Sequence, residues 1–324
     1  MSEQKKEVKF LKGFNTIAAK TYSDDKKVNR PLSIPIVAAS TYQVESGERH
    51  GELYREIADT FYMRFGNPTR AAAAKKIAKL EGAEETLVFS SGMGAITTSL
   101  MSVLKSGDHV IAQRELYGQT FSFFELLRDS FGVEVDFTEM TKLSEISELI
   151  RTNTALIYIE SPSNPSLKIA DIKSIADIAS KSNISLFVDS TFASPYLQNP
   201  ISLGATLSLH SGTKYLGGHS DLMCGVVSGN TLVIKKILQL QLILGTILDP
   251  HSCWLLLRSI KSLGIRMQLQ CDTALKLAEF LEVQPGVMVV NYPWLQSSPY
   301  YKLARNQMRG GGRSRCLMRH FETS

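Results

Sequence analysis

The sequence predicts an α/β fold built on a parallel sheet that helices cover on both faces. Short apolar runs of four to six residues recur through the middle of the chain. Stretches of ten or so residues with helical spacing separate them, the pattern of a parallel sheet with crossover helices. At 324 residues the chain is also longer than one typical core needs, which predicts one large domain and a smaller piece.

The elements follow in order. Residues 1 to about 60 read as polar and irregular, with Pro31 and Pro35 bracketing an extended segment. Thr86–Ser90 reads as a strand and Met93–Leu104 as a helix. His109–Ala112 and Val133–Phe137 read as strands, with a helix over Thr120–Phe131 between them. A helix over Leu143–Arg151 precedes a strand at Ala155–Ile159, and a helix over Asp171–Ser180 precedes strands at Ser185–Asp189 and Ala205–His210. Two long helical stretches, Leu232–Leu244 and Cys253–Leu281, come next, followed by the apolar run Gly286–Val290. The last segment, from Gly310, shows no apolar periodicity, and the chain carries no internal repeat.

Composition narrows the class. A formal charge of +5 is modest for this length, and part of it is local to Arg309, Arg313, Arg315 and Arg319. Such a balance gives no reason to expect a nucleic-acid partner. The arginine- and glycine-rich end reads as a solvated basic run rather than an RNA-binding segment. Cys224, Cys253, Cys271 and Cys316 have no paired spacing, so no metal site and no disulfide framework is expected. The first residues are charged, and Leu232–Leu248 is too short and too interrupted by Lys235 and Lys236 to span a bilayer. A cytoplasmic protein with reduced thiols and no membrane contact is the expectation.

In open α/β sheets ligands bind beyond the carboxyl ends of the strands, so the residues that follow each strand carry the functional reading. Lys214 follows the apolar run Ala205–His210, with Ser211 and Thr213 beside it and no acid nearer than Asp221. A lysine leaving a buried strand can act as a nucleophile toward an aldehyde. The two hydroxyls suit a neighbouring phosphate, as a pyridoxal phosphate (PLP) Schiff-base site requires. The plain alternative is a loop lysine capping a strand. Gly92 and Met93 open a helix after a strand, which suits phosphate binding or simply a tight turn. The same Gly-Met-Gly run resembles the start of a dinucleotide fingerprint, but Thr97 stands where a third glycine belongs. Tyr117 can stack on a flat heteroaromatic ring or be an ordinary loop tyrosine. Asn164, between two prolines, is a rigid polar group or plain turn chemistry. Asp189 ends an apolar strand, which is costly unless a cation meets it or backbone N–H groups cap it. A protonated pyridine nitrogen is such a cation.

Taken together these stretches resemble the Cys/Met-metabolism family of PLP enzymes, the trans-sulfuration group that includes cystathionine γ-lyase and cystathionine γ-synthase. The resemblance rests on Tyr62-Met-Arg-Phe-Gly-Asn-Pro-Thr69, Ser90-Ser-Gly-Met93, Ser106–His109 with Tyr117-Gly118, and Glu160-Ser-Pro-Ser-Asn-Pro165. It continues through Val188-Asp-Ser-Thr-Phe-Ala193, His210-Ser-Gly-Thr-Lys-Tyr215 with Gly218–Asp221, and Leu248-Asp-Pro with Trp254–Arg258. It implies a PLP-dependent transferase-like (fold type I) large domain over residues 61–252 with a mostly parallel sheet. It also implies an N-terminal arm, residues 1–60, contacting a neighbouring subunit, and a linking helix with an incomplete α+β C-terminal domain over 253–324.

The resemblance implies that Lys214 anchors PLP and then moves protons between substrate carbons. It implies that Asp189 pairs with the pyridine nitrogen and that Tyr117 stacks on the ring and assists the leaving sulfur. Gly92, Met93, Ser211 and Thr213 would hold the phosphate, and Asn164 would sit near the ring's phenolic oxygen. Tyr62 and Arg64 would reach the phosphate of a neighbouring subunit, so a homo-oligomer, a dimer of dimers, is implied. The chemistry would be γ-elimination or γ-replacement on a sulfur amino acid. Within the same group stand methionine γ-lyase and the homoserine-ester sulfhydrylases, and outside it a PLP-binding homologue without turnover. An aminotransferase fits the Tyr62–Thr69 and Ser-Gly-Thr-Lys-Tyr stretches less well.

Several positions depart from the family pattern. Ser190 replaces the usual Asn, Gln119 stands where Gly or Cys is common, and Phe65 replaces a small residue. Arg70–Lys75 is alanine-rich where a Leu-Glu pair is usual. The motif resemblance ends at Gly311, before the segment that in this family carries the arginine for the substrate carboxylate, so a C-terminally truncated or frame-shifted chain is the expectation.

Overall fold

A computed structural model describes residues 13–20, 31–140, 142–312 and 317–320. The first elements are helix α1 (residues 13–19), α2 (Gly47–Glu56), α3 (Pro68–Glu81), strand β1 (Glu85–Phe89) and α4 (Gly92–Val103). They continue with β2 (His109–Gln113), α5 (Gly118–Phe131), β3 (Glu134–Thr138), α6 (Leu143–Leu149), β4 (Thr154–Glu160), α7 (Ile172–Lys181), β5 (Ser185–Asp189) and α8 (Ser194–Leu197). After β6 (Leu207–Ser211) and β7 (Gly225–Gly229) come α9 (Thr231–Leu244), α10 (Pro250–Ile260), α11 (Leu263–Glu282), β8 (Val287–Asn291), α12 (Tyr301–Gln307) and β9 (Leu317–His320). These elements divide into two compact units, one formed by Met1–Ser102 with Ser211–Leu263, the other by Val103–His210 with Gly264–Ser324.

In the first unit β1 pairs antiparallel with β7, Leu87 opposite Val227. Helix α3 packs on β1 and on α10, and α9 packs on β1 and β7. Helix α3 is fixed by its ends: Asn67 Oδ1 accepts from Thr69 N at 2.9 Å and Arg70 N at 3.2 Å, Pro68 occupies the first turn, and Gly82 closes it at φ +65°. The caps meet the first orphan N–H groups and the left-handed exit that a helix end requires. Ala73, Ile77 and Leu80 of α3 are buried with Val88, Phe89, Val226 and Val227.

In the second unit β3, β2, β4, β5 and β6 run side by side in that order, every pair parallel. Their apolar faces bury Ile111, Ile157, Ile159, Leu186 and Val188 against Ile172, Ile175 and Ala179 of α7 and Ile146 of α6. Near-continuous burial of β2 and β4 is what sheets covered on both faces require. The unit also holds a smaller cluster, Ala274 and Ala278 of α11 with Tyr292 and Leu295.

The mostly parallel sheet matches the expectation, and several local readings are corrected. Residues 1–60 are not wholly irregular: α1 buries Phe14 and Ala18, and Ser46 caps α2 by accepting from Arg49 N at 3.1 Å. Helix α3 and strand β7 were not expected, β7 because its five residues are bounded by glycines. The continuous helix expected over Cys253–Leu281 is two helices. They are separated at Lys261 and Ser262, whose N–H groups bond three residues back, to Arg258 and Ser259. At the end, Leu317–His320 forms a strand antiparallel to β8 where no periodicity was visible. Among the described residues no helix is long and apolar enough to cross a membrane.

Candidate active site

Within the first unit the chain leaves β6 at Ser211 and coils tightly. Lys214 N donates to Ser211 O at 3.1 Å, Gly217 N to Gly212 O at 2.7 Å and Gly218 N to Lys214 O at 2.7 Å. The coil is clamped on Cys224. Thr213 N donates to Cys224 O at 3.2 Å and Cys224 N to Thr213 Oγ1 at 3.0 Å, while a Cβ on Gly212 would meet Cys224 Sγ at 2.3 Å. Only glycine fits so close an approach. Gly92 faces the same coil, since a Cβ there would lie 2.9 Å from Ser211 Cβ. Ser91 Oγ accepts from Gly94 N at 2.9 Å and so fixes the start of α4. Helix geometry directs the positive end of α4 through Gly92 and Met93, so that Gly92, Met93, Ser211, Thr213 and Lys214 share one corner of this unit.

Two details differ from the sequence reading. Lys214 is exposed, not buried at the strand exit, because the coil turns it outward after Ser211. Thr213 already spends hydroxyl bonds on the Cys224 backbone, which makes it a brace of the coil as well as a phosphate candidate. Tyr62 and Arg64 form a separate cluster on this unit. The Arg64 guanidinium lies 5.5 Å from the Tyr62 ring centre and 5.1 Å from that of Phe65, and its Nη1 donates to Leu242 O at 2.7 Å. The aromatic Phe65, unusual at its position, also packs on Tyr54 and Phe61.

Within the second unit the candidates stand at the ends of three parallel strands. Tyr117 precedes α5. Its carbonyl accepts from Thr120 N at 2.9 Å and Phe121 N at 3.1 Å, and its side chain is 47 % exposed. Its N–H donates to Glu160 Oε2 at 2.9 Å. Asn164 is half-buried in a loop whose Ser161–Pro162 and Asn164–Pro165 bonds are both cis. Asp189, the last residue of β5, lies opposite Glu160, the last residue of β4. Both side chains are buried.

The electrostatics follow from that burial. Asp189 is pushed up by desolvation, a shift opposed by its hydrogen bonds from Thr191, one from the backbone N–H at 2.9 Å, and by His210. Glu160 is pushed well up, first by desolvation and then by the Asp189 charge, against hydrogen bonds from the backbones of Tyr117 and Asn164. Two carboxyl groups in register in a dry place cannot both ionise cheaply. Sequence reading singled out Asp189 but gave Glu160 no part. Its one signal is an acid ending an apolar strand, as with Asp189.

Taken by itself, each unit carries groups of the kind that would hold one part of PLP. The donor set is that of a phosphate cradle, a helix start pressed on Ser211 with a lysine three residues on. In the other unit a buried carboxyl that is costly to ionise suits a cationic ring nitrogen, and an exposed tyrosine on a fixed backbone suits a flat ring.

Comparison with known proteins points the same way. A family model described as Cys/Met metabolism PLP-dependent enzyme matches residues 15–323, running past Gly311, where the motif resemblance ends. The chain is 44% identical over 302 residues to a probable cystathionine gamma-synthase of Herpetosiphon aurantiacus, covering 93% of this chain and 92% of the relative. It is 42% identical over 283 residues to the cystathionine gamma-lyase of Bacillus subtilis, covering 87% of this chain and 72% of that one. The crystal structure of metB from Corynebacterium glutamicum superposes with a TM-score of 0.87 at 37% identity, covering 93% of this chain and 77% of that chain.

Proposed function

The chain belongs to the Cys/Met metabolism PLP-dependent enzyme family, and from that premise we propose that it acts on the γ-carbon of sulfur amino acids through the residues named above. It is a trans-sulfuration enzyme, a carbon–sulfur lyase or transferase of the cystathionine γ-lyase or γ-synthase type. The observation that carries the assignment of roles is Asp189, a carboxyl buried at a parallel strand's end and raised by that burial, which a pyridinium nitrogen would return to its ionised form.

PLP, when bound, supplies an aldehyde that carries the substrate amine and a ring that accepts the electron pair left when a carbon is deprotonated. Lys214 Nζ would anchor that aldehyde. As a free amine it would take the proton from the α-carbon and deliver or remove protons at the β-carbon. The exposure of Lys214 leaves its long stem room to reach more than one carbon. Gly92, Met93, Ser211 and Thr213 would hold the phosphate, Asp189 would keep the ring nitrogen protonated, and Asn164 would hold the phenolic oxygen. Tyr117 would hold the ring and assist the departing sulfur with its hydroxyl.

Tyr62 and Arg64 would complete the phosphate site of a neighbouring subunit in a homo-oligomer, and the proposed N-terminal arm is residues 1–60, of which 1–12 and 21–30 lie outside the described residues. The exposed Tyr62, and Leu232, Ile243 and Leu244 exposed on α9, support such an assembly. The cytoplasm, with its reduced thiols and PLP supply, is the compartment that suits this chemistry.

The test is direct. Purified chain, saturated with PLP, is given cystathionine, methionine and an activated homoserine ester side by side, and keto acid, thiol and ammonia are measured. Protein that stays colourless after PLP addition overturns the reading. Yellow protein that releases nothing from any of the three leaves a cofactor-binding homologue.

A further inference from the structure

Resting on that reading, we propose that Glu160 is a positioning residue: its carboxyl group ties the backbones of Tyr117 and Asn164 to the end of β4, and so sets how Tyr117 meets the cofactor ring. The geometry is that of a three-way tie. Glu160 Oε2 accepts from Tyr117 N at 2.9 Å, and the same carboxyl takes the backbone N–H of Asn164. The Glu160 N–H donates to Gln113 Oε1 at 3.0 Å, which fastens the acid to the last residue of β2. Tyr117 has no side-chain bond capping α5, so its backbone is what holds it, through its carbonyl on the helix and its N–H on Glu160. The phenol itself stands exposed, where any looseness of the backbone passes straight to the ring.

The surroundings decide in which form the acid works. Asp189 faces Glu160 from β5, Glu115 faces it from the loop before α5, and the Tyr158 phenol faces it from β4. Glu115 is itself paired with Lys168 at 3.1 Å. Among the described residues no cation acts on Glu160, and burial with the Asp189 charge outweighs the pull of the two N–H donors, so the carboxyl is pushed toward its neutral form. Its carbonyl oxygen accepts as before. Glutamine reproduces that shape and that neutrality, whereas aspartate, one methylene shorter, cannot reach the Tyr117 N–H.

Full-length E160Q, E160D, E160A, Y117A and the double variant E160A/Y117A are compared with wild type. PLP affinity is read by absorbance titration, and ring stacking by circular dichroism in the cofactor band, with far-ultraviolet dichroism as the check of fold. E160Q is expected within about threefold of wild type in affinity, with its cofactor band kept. E160D and E160A are expected to bind PLP about tenfold more weakly and to lose much of that band. The double variant is expected within about twofold of Y117A, since Glu160 acts through Tyr117. If E160A does not fold, E160D carries the comparison. The inference is overturned if the folded shortened variants keep the affinity and the band, if E160Q is as damaged as E160D, or if the two losses add in the double variant. Wild-type protein that binds no PLP sinks the functional reading instead, a separate result.

Discussion

The two compact units hold their chemistry in opposite ways. In the first, a backbone coil braced on Cys224 presents an exposed lysine. In the second, strand ends hold two acids in register away from water. The difference matches the work proposed for each. An amine that must meet several atoms in turn needs reach, so its support is rigid and its stem free. A carboxyl that fixes a charge state needs a dry surrounding, where one charge governs the next.

Four experiments test this contrast, in order of expected effect. Replacing Lys214 with alanine removes both anchor and proton carrier. Keto-acid release should fall by about 10³-fold, and colour should be lost on dialysis while far-ultraviolet dichroism stays unchanged. Asp189→Asn keeps the shape and hydrogen-bond capacity but not the charge. Turnover should fall by about 10²-fold with Lys214 still able to hold the cofactor, measured as kcat at saturating PLP. Gly92→Ala puts a methyl 2.9 Å from Ser211 Cβ, so PLP affinity should weaken by about tenfold with the fold intact, as read by titration. An unchanged affinity would remove Gly92 from the cradle.

The smallest effect sharpens the contrast by its sign. In the second unit Glu160 and Asp189 are raised above their ordinary values of 4.5 and 3.8. Below those values both folded and unfolded chains are protonated. As pH rises through them the unfolded chain releases its protons before the folded chain does, so stability is lost with rising pH. Lys76, in the first unit, behaves the other way. Its Nζ donates to Ile17 O at 2.7 Å, to Ala18 O at 3.2 Å and to Lys20 O, closing the end of α1. Burial, with Lys261 and Lys79, lowers it from 10.5 to about 8. Between those two values the folded chain has released a proton that the unfolded chain keeps, so stability rises with pH. Thermal melts of PLP-free protein should therefore show a midpoint falling from about pH 4.5 upward and a partial recovery above about pH 8, each a matter of a few degrees. E160Q should flatten the fall and K76M the recovery.

Much of this was legible in the sequence, for identifiable reasons. The apolar runs that became β2, β4 and β5 are bounded by polar loops, and burial on both faces leaves no other way to place them. The strand-end rule then pointed to Tyr117, Asn164, Asp189 and Lys214 without any coordinates. Helix α3 went unread although Asn67, Pro68 and Gly82 supply a cap, a first-turn proline and a left-handed exit. Its alanine-rich stretch lacks the apolar stripe that marks an amphipathic helix. Strand β7 was hidden because Gly225-Val-Val-Ser-Gly229 has glycines at both ends and only two apolar side chains, too few to mark an apolar run. The role of Glu160 was hidden for a different reason. Its partner is the backbone of a residue 43 positions away, and a backbone N–H leaves no trace in residue type.

The sequence alone determined the fold class and the family, and it singled out Lys214 as the proposed anchoring lysine. Each depends on residue types whose chemistry is local: apolar runs, glycines at close turns, and an amine beside hydroxyls. Tertiary structure alone decided that Lys214 is exposed, that Thr213 also braces Cys224, and that Glu160 and Asp189 lie in register. These depend on which strands become neighbours and how a coil turns. Burial and charge coupling are properties of position in space, so they arise only when the chain has folded.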